Sequence, residues 1–206
     1  MKLVVFASLL AAATAGSASE WRNRTIYQLL TDRFSLGTSS TQPCGDLSDY
    51  CGGLFSGIVQ RLDYIQSMGF DAVWISPVPV NTPNGYHGYW AQNLSGINPY
   101  FGTPGDLLSL SNALHARGMW LMVDVVANHV GPVDLNFTTI QPFNTSDCYH
   151  PKCQIEDWNN ETQVLLCRLF NLPDLNQTNP RVRAHLLEWV SSLQDMGIDG
   201  LRVDTV

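Results

Sequence analysis

Three stretches of this chain repeat one pattern: a run with helical period, a glycine, then a short strand. In the first, Ile58, Leu62, Ile65 and Met68 recur about every 3.6 residues, Gly69 follows, and Ala72-Val73-Trp74-Ile75 reads as a strand. In the second, Thr103 and Pro104 read as N-cap and first-turn proline. Leu107, Leu108, Leu110 and Leu114 then lead to Gly118, and Met119 to Val126 is the strand. In the third, Asn179-Pro180 opens a helix carrying Val182, Leu186, Trp189, Val190 and Leu193, Gly197 closes it, and the strand is Gly200 to Asp204. An earlier strand is expected at Ile26 to Leu30. Trp120 to Val123, with Val125-Val126 beyond Asp124, is apolar on both faces, the mark of parallel strands covered by helices on each side. Alternating helices and parallel strands predict an α/β fold.

The stretch between Gly118 and Gly197 is far longer than the roughly 30 residues a βαβ unit needs. Residues 128–176, rich in Asn, Thr, Pro and Cys, are therefore expected to form an inserted loop subdomain after the third strand. That divides the chain into residues 1–19, 20–127, 128–176 and 177–206.

The first division reads as an address. Met1 and Lys2 precede an apolar run from Leu3 to Ala13 and the small residues Thr14 to Ser19, the layout of a secretory signal peptide. About 11 apolar residues are too few for the ~20 that cross a bilayer, so no membrane partner is expected. Secretion makes disulfides available to the five cysteines. Cys44 with Cys51 suits a local staple, and either Cys148 or Cys153 can reach Cys167. Six Asn-x-Ser/Thr sites, at Asn23, Asn93, Asn136, Asn144, Asn160 and Asn176, fit an extracellular glycoprotein. Lys and Arg number 11 against 18 Asp and Glu, with no basic cluster, which excludes a phosphate-tracking surface and a nucleic-acid partner.

Four segments carry candidate chemistry. In Gly200-Leu201-Arg202-Val203-Asp204, strand alternation puts Arg202 and Asp204 on one side and turns Leu201 and Val203 toward the helices. A guanidinium beside a carboxylate favours its ionised form. An anionic carboxylate at the C-terminal rim of a parallel sheet is what a glycosidase nucleophile needs, although an ordinary ion pair reads the same way. Asp124 ends an apolar strand and needs partners there, with the Asn128 amide and the His129 imidazole beyond it. Gly85-Tyr86-His87-Gly88-Tyr89-Trp90 sets aromatic rings and a histidine between glycines, which suits either a sugar platform or a packed loop. Asp174, before the third helix, is a loop cap or a hard oxygen ligand that with Asn128 begins a calcium site. Zinc is disfavoured because no histidine or cysteine set has its spacing.

In this order the segments resemble the secreted α-amylases of the α-amylase superfamily (glycoside hydrolase family 13), especially the fungal type. The likeness runs from Ile26 to the end. Asp124 to His129 looks like the family's first signature and Gly200 to Asp204 like its second, while Gly85 to Trp90 and Leu172 to Leu175 are similar to fungal motifs. The resemblance implies the first half of a (β/α)8 TIM barrel with the inserted domain B after its third strand. It implies a retaining, endo-acting hydrolase of α-1,4-glucosidic bonds in starch, glycogen or maltooligosaccharide, secreted and monomeric when full length. Asp204 would be the nucleophile and Arg202 its orienting partner. His87 and His129 would bond sugar hydroxyls, with Tyr89 and Trp90 shaping the same subsite. Asn128, Asp174 and the main-chain carbonyl of Leu165 would bind calcium. The family's disulfides imply Cys44–Cys51 and Cys153–Cys167, with Cys148 left over.

The resemblance also implies a general-acid Glu after a fifth strand, beyond these four. Glu156 and Glu161 fall in the insertion and Glu188 falls mid-helix, so none replaces it. The chain is thus expected to be an N-terminal part, inactive alone. An α-glucosidase, a cyclodextrin-forming transferase or a non-catalytic glucan-binding fragment are the alternatives.

Overall fold

The computed structural model describes residues 16–37 and 44–205. Residues 1–15 of the expected signal peptide lie outside them. The elements in order are α1 (Ala18–Trp21), β1 (Ile26–Leu29), α2 (Thr31–Phe34), α3 (Phe55–Gln60), α4 (Leu62–Ser67), β2 (Ala72–Ile75), β3 (Pro79–Asn81), β4 (Ala91–Ile97), α5 (Pro104–His115), β5 (Trp120–Val126), α6 (Glu161–Leu166), α7 (Pro180–Asp195) and β6 (Gly200–Asp204). Among the described residues no helix is long and apolar enough to cross a membrane.

Strands β1, β2, β5 and β6 form one parallel sheet in that order, and β3 and β4 form a separate antiparallel pair. The repeated unit appears as predicted. Gly69, Gly118 and Gly197 each follow a helix at φ of +89°, +67° and +77°, a turn residues with a Cβ adopt at a cost. Thr103 caps α5 reciprocally: its hydroxyl accepts from the Asp106 N–H at 3.2 Å, and its own N–H donates to Asp106 Oδ2 at 2.8 Å. Asn179 caps α7 through the Arg181 N–H at 2.9 Å, with Pro180 in the first turn.

The helices bury Ile58, Leu62, Ile65, Leu107, Leu110, Leu114, Val182, Trp189 and Leu193 against Val73, Ile75, Leu121 and Val123 of the sheet. Each fully buried aliphatic side chain contributes roughly 1.5–3 kcal/mol. Two expectations need correction. The helix expected through 58–68 is broken at Arg61 (φ −111°, ψ 8°) into α3 and α4. Met68 (44 % exposed) and Leu108 face solvent, because the break and the α5 phase rotate them off the buried stripe. Leu201 packs against the core, and Val203, on the edge strand β6, is 44 % exposed among the described residues.

The segment after β5 leaves the sheet and returns to it through a narrow neck. His129 bridges Asp174 and Tyr149 bridges Leu175 in antiparallel fashion, and the Leu175 N–H donates to the Asn128 carbonyl at 2.7 Å. Beyond the neck, Phe137 stacks on Tyr149 with centroids 3.9 Å apart, and the Tyr149 hydroxyl donates to the Phe143 carbonyl at 2.6 Å. Disulfides join Cys44 to Cys51 and Cys153 to Cys167, and Cys148 is buried and free.

Candidate active site

Register places the first two signatures side by side. Asp124 of β5 pairs with Arg202 of β6, and Val126 with Asp204, so Asp204 stands at the C-terminal end of the sheet. The Arg202 guanidinium lies between two carboxylates. Its Nη1 donates to both oxygens of Asp124 at 3.1 Å and to Oδ1 of Asp204. The Thr205 hydroxyl donates to the other Asp204 oxygen at 2.7 Å.

Asp124 is fully buried and accepts from three side chains: Tyr89 Oη at 2.7 Å, Trp74 Nε1 at 3.3 Å and Arg202. Burial pushes its carboxyl pKa up, while the bonds from Tyr89 and Arg202 pull it down. The same burial, with the carboxylate as acceptor, pushes the Tyr89 phenol well above its usual range and keeps it a donor.

The loop of residues 85–90 folds back over this floor. Gly88, at φ +91°, lies so close to the Pro77 carbonyl that a Cβ would sit 2.4 Å from its oxygen. That turn aims the Tyr89 N–H at His87 Nδ1, 3.0 Å away. Nδ1 is then an acceptor, so in neutral His87 the proton sits on Nε2. Burial, and then the charge of Arg33, lower its pKa. Trp90 stands edge-on to His87 with centroids 4.7 Å apart.

His87, Tyr89, Trp90, His129 and Asp204 line one cleft of about 310 Å³, closed on the other side by Leu169, Phe170 and Leu172. The structure therefore brings five of the sequence-predicted residues to one space, with Arg202 supporting Asp204 from beside it. Both ring nitrogens of His129 already face protein oxygens, Nδ1 that of Asn128 at 3.0 Å and Nε2 the Tyr89 carbonyl at 3.2 Å.

The residues expected to hold calcium sit at the neck. Asn128 Nδ2 donates to Asp174 Oδ1 at 2.9 Å, and His150 Nδ1 lies 2.6 Å from Asp174 Oδ2. Burial raises the Asp174 carboxyl, against the pull of His150 and Asn128. Leu165, exposed in the last turn of α6, lines with Asn128 a second cavity of about 330 Å³. Among the described residues no three His, Cys, Asp or Glu side chains cluster as a metal site, so any cation here would rest on amide and carbonyl oxygens around one carboxylate.

Residues 28–206 match the family model for the α-amylase catalytic domain. The chain belongs to the α-amylase family. Alpha-amylase mde5 of Schizosaccharomyces pombe is 41% identical over 219 residues, covering 99% of this chain and 42% of that protein. Alpha-amylase 1 of Lipomyces kononenkoae is 41% identical over 213 residues, covering 95% and 34%. Among solved structures, an α-amylase from Malbranchea cinnamomea superposes with a TM-score of 0.86 at 46% identity, covering 91% of this chain and 43% of that one. An α-amylase from Geobacillus thermoleovorans, complexed with acarbose, gives 0.81 at 40%, covering 90% and 41%. The chain thus spans at most about two fifths of these α-amylases, and its sheet is part of a (β/α)8 barrel.

Three features of this α-amylase-family site escaped sequence reasoning. Asp124 was legible as a buried carboxylate, but its place as the shared anchor of Tyr89, Trp74 and Arg202 depends on strand register. His150 meets Asp174 across the neck, and no local spacing announces it. Phe170 is 85 % exposed at the cleft, with φ +48°, and Asn171 follows at +65°. Two consecutive left-handed residues that are not glycine are a costly way to hold a phenyl ring outward.

Proposed function

We propose that this chain contributes the nucleophile side of the cleft of a secreted, retaining α-amylase that cleaves internal α-1,4-glucosidic bonds of starch and glycogen. One observation carries the reading: Asp204 stands at a strand's C-terminal end, in a cleft walled by His87, Tyr89 and Trp90, with Arg202 bonded to it from beside.

In this mechanism an Asp204 oxygen attacks the anomeric carbon, and the glycosidic oxygen leaves with a proton from an acid about 5–5.5 Å away. Arg202 and Thr205 fix the rotamer of the attacking carboxylate. His87 presents its Nε2–H to a sugar hydroxyl, and Trp90 and Phe170 offer apolar faces to the ring. His129 reaches the sugar by exchanging the Tyr89 carbonyl for a hydroxyl. Asp204 is the one carboxylate lining the cleft among the described residues, and the fully engaged Asp124 is no substitute acid. The 206 residues alone are therefore expected to give no turnover.

Hydrogen-bond accounting at the neck supports calcium. A neutral His129 that donates Nε2–H to Tyr89 needs a donor at Nδ1, yet meets the Asn128 oxygen. Turning the amide over satisfies His129 and sets the Asn128 and Asp174 oxygens together, an arrangement a bound cation would stabilise. Asn128, Asp174 and the Leu165 carbonyl would hold the ion, which would tie residues 128–176, as a subdomain, to the sheet.

The test uses the full-length protein carrying this chain. It should release reducing sugar from soluble starch with α-configuration, and Asp204→Asn should lower turnover by roughly 10⁴-fold or more. A β-anomeric product, or an Asp204→Asn enzyme as active as the parent, would refute the assignment. Chelation should lower the thermal midpoint, and added calcium should restore it.

A further inference from the structure

Away from the Asp204 cleft, a further cavity of about 260 Å³ opens beside β3, and its chemistry is also that of a sugar site. Tyr50 and Tyr100 stack there nearly parallel, with centroids 3.9 Å apart and planes 14° from each other. Asn98, buried, fixes both: its Nδ2 donates to the Tyr50 hydroxyl at 2.9 Å, and its Oδ1 accepts from the Tyr100 N–H at 3.1 Å. Tyr100 remains 58 % exposed, so an aromatic surface is held rigidly toward solvent without being covered.

The rest of the lining is polar. The side-chain amides of Asn84 and Gln92 make no hydrogen bond to protein among the described residues, which leaves their donors and acceptors to solvent or a ligand. Asp49 adds a carboxylate, and no basic residue lines the cavity, which disfavours phosphate and other anions. A rigid aromatic face ringed by amides and a carboxylate fits the apolar face and hydroxyl edge of a pyranose.

We propose that this cavity is a second carbohydrate-binding site, taking a glucosyl ring of the α-glucan on Tyr100, with Asn84 and Gln92 bonding its hydroxyls. The choice of glucan rests on the proposed function above. Asn81 connects the two sites: it lines this cavity, and its Oδ1 accepts from the Trp90 N–H at 2.7 Å. A glucan held here would be kept near the cleft between cleavage events.

The experiment compares the full-length protein with its Tyr100→Ala, Tyr100→Phe, Gln92→Ala and Asn84→Ala variants. One readout is retardation in gels containing glycogen, and the other is hydrolysis of a short chromogenic maltotrioside that fills only the cleft. Tyr100→Ala should weaken glycogen affinity about tenfold (about 1.4 kcal/mol). Gln92→Ala and Asn84→Ala should weaken it about threefold each. Tyr100→Phe, which keeps the ring, should match the parent, and maltotrioside turnover should hold in all four. Unchanged retardation in Tyr100→Ala with turnover intact would overturn the second site and leave the proposed function standing. A parent that neither cleaves maltotrioside nor binds glycogen would instead sink the functional reading. Should Tyr100→Ala lose both readouts through misfolding, Gln92→Ala and Asn84→Ala decide: retardation equal to the parent in both overturns the proposal.

Discussion

Replacing Asp124 by Asn keeps the shape of the side chain while changing what it can accept. The carboxylate oxygens receive Tyr89, Trp74 and Arg202, and the site is closed to water. Whichever way the new amide is placed, its NH2 points at a donor, and Arg202 keeps only Asp204 as an anionic partner. Breaking a buried pair costs roughly 3–5 kcal/mol. Arg202 keeps Asp204 as a bonded carboxylate, so the lower end, about 3 kcal/mol, is expected. The assay is urea denaturation of the full-length protein, followed by tryptophan fluorescence, with Tyr89→Phe for comparison. Phenylalanine removes one donor to the carboxylate and should cost less, about 1.5–3 kcal/mol. An Asp124→Asn midpoint corresponding to a loss under about 1 kcal/mol, or a larger loss for Tyr89→Phe, would refute the view that this carboxylate anchors the site.

Three further outcomes follow from the same structure. Gly88→Ala should lower the denaturation midpoint by about 1–3 kcal/mol and abolish starch hydrolysis, because a Cβ at positive φ meets the Pro77 carbonyl and displaces His87 and Tyr89. Cys153→Ser should destabilise by roughly 3 kcal/mol, the value for a ~15-residue loop, and peptide mapping should then find Cys167 free. The His87 pKa is lowered in the folded state, so below about pH 6.5 the unfolded chain binds more protons and stability falls. Urea midpoints at pH 7 and pH 5 should show that fall, and His87→Gln should make it shallower.

Much of the frame was legible because its determinants are local. A glycine after an apolar stripe marks a helix end whatever surrounds it, and Gly69, Gly118 and Gly197 all behave so. Strands covered on both faces lose alternation, and Trp120 to Val126 shows that directly. The break at Arg61 was hidden, since the apolar period of Ile58, Leu62 and Ile65 continues across it. At the site, strand ends and a glycine-bracketed loop pointed to Asp204, Arg202, His87, Tyr89 and Trp90. Phe170 stayed hidden, because a left-handed backbone at a phenylalanine leaves no pattern in the letters. His150 and the Tyr50–Tyr100 pair were hidden because they join positions far apart in the chain.

The paired neck at His129 and Asp174 separates two design problems within one polypeptide. Whatever lies between those positions begins and ends at a fixed doorway, so its length and content can change without disturbing the strand ends beneath. Grafting a relative's excursion between residues 130 and 173 should therefore change the wall of the cleft while leaving the Asp204 carboxylate where it stands.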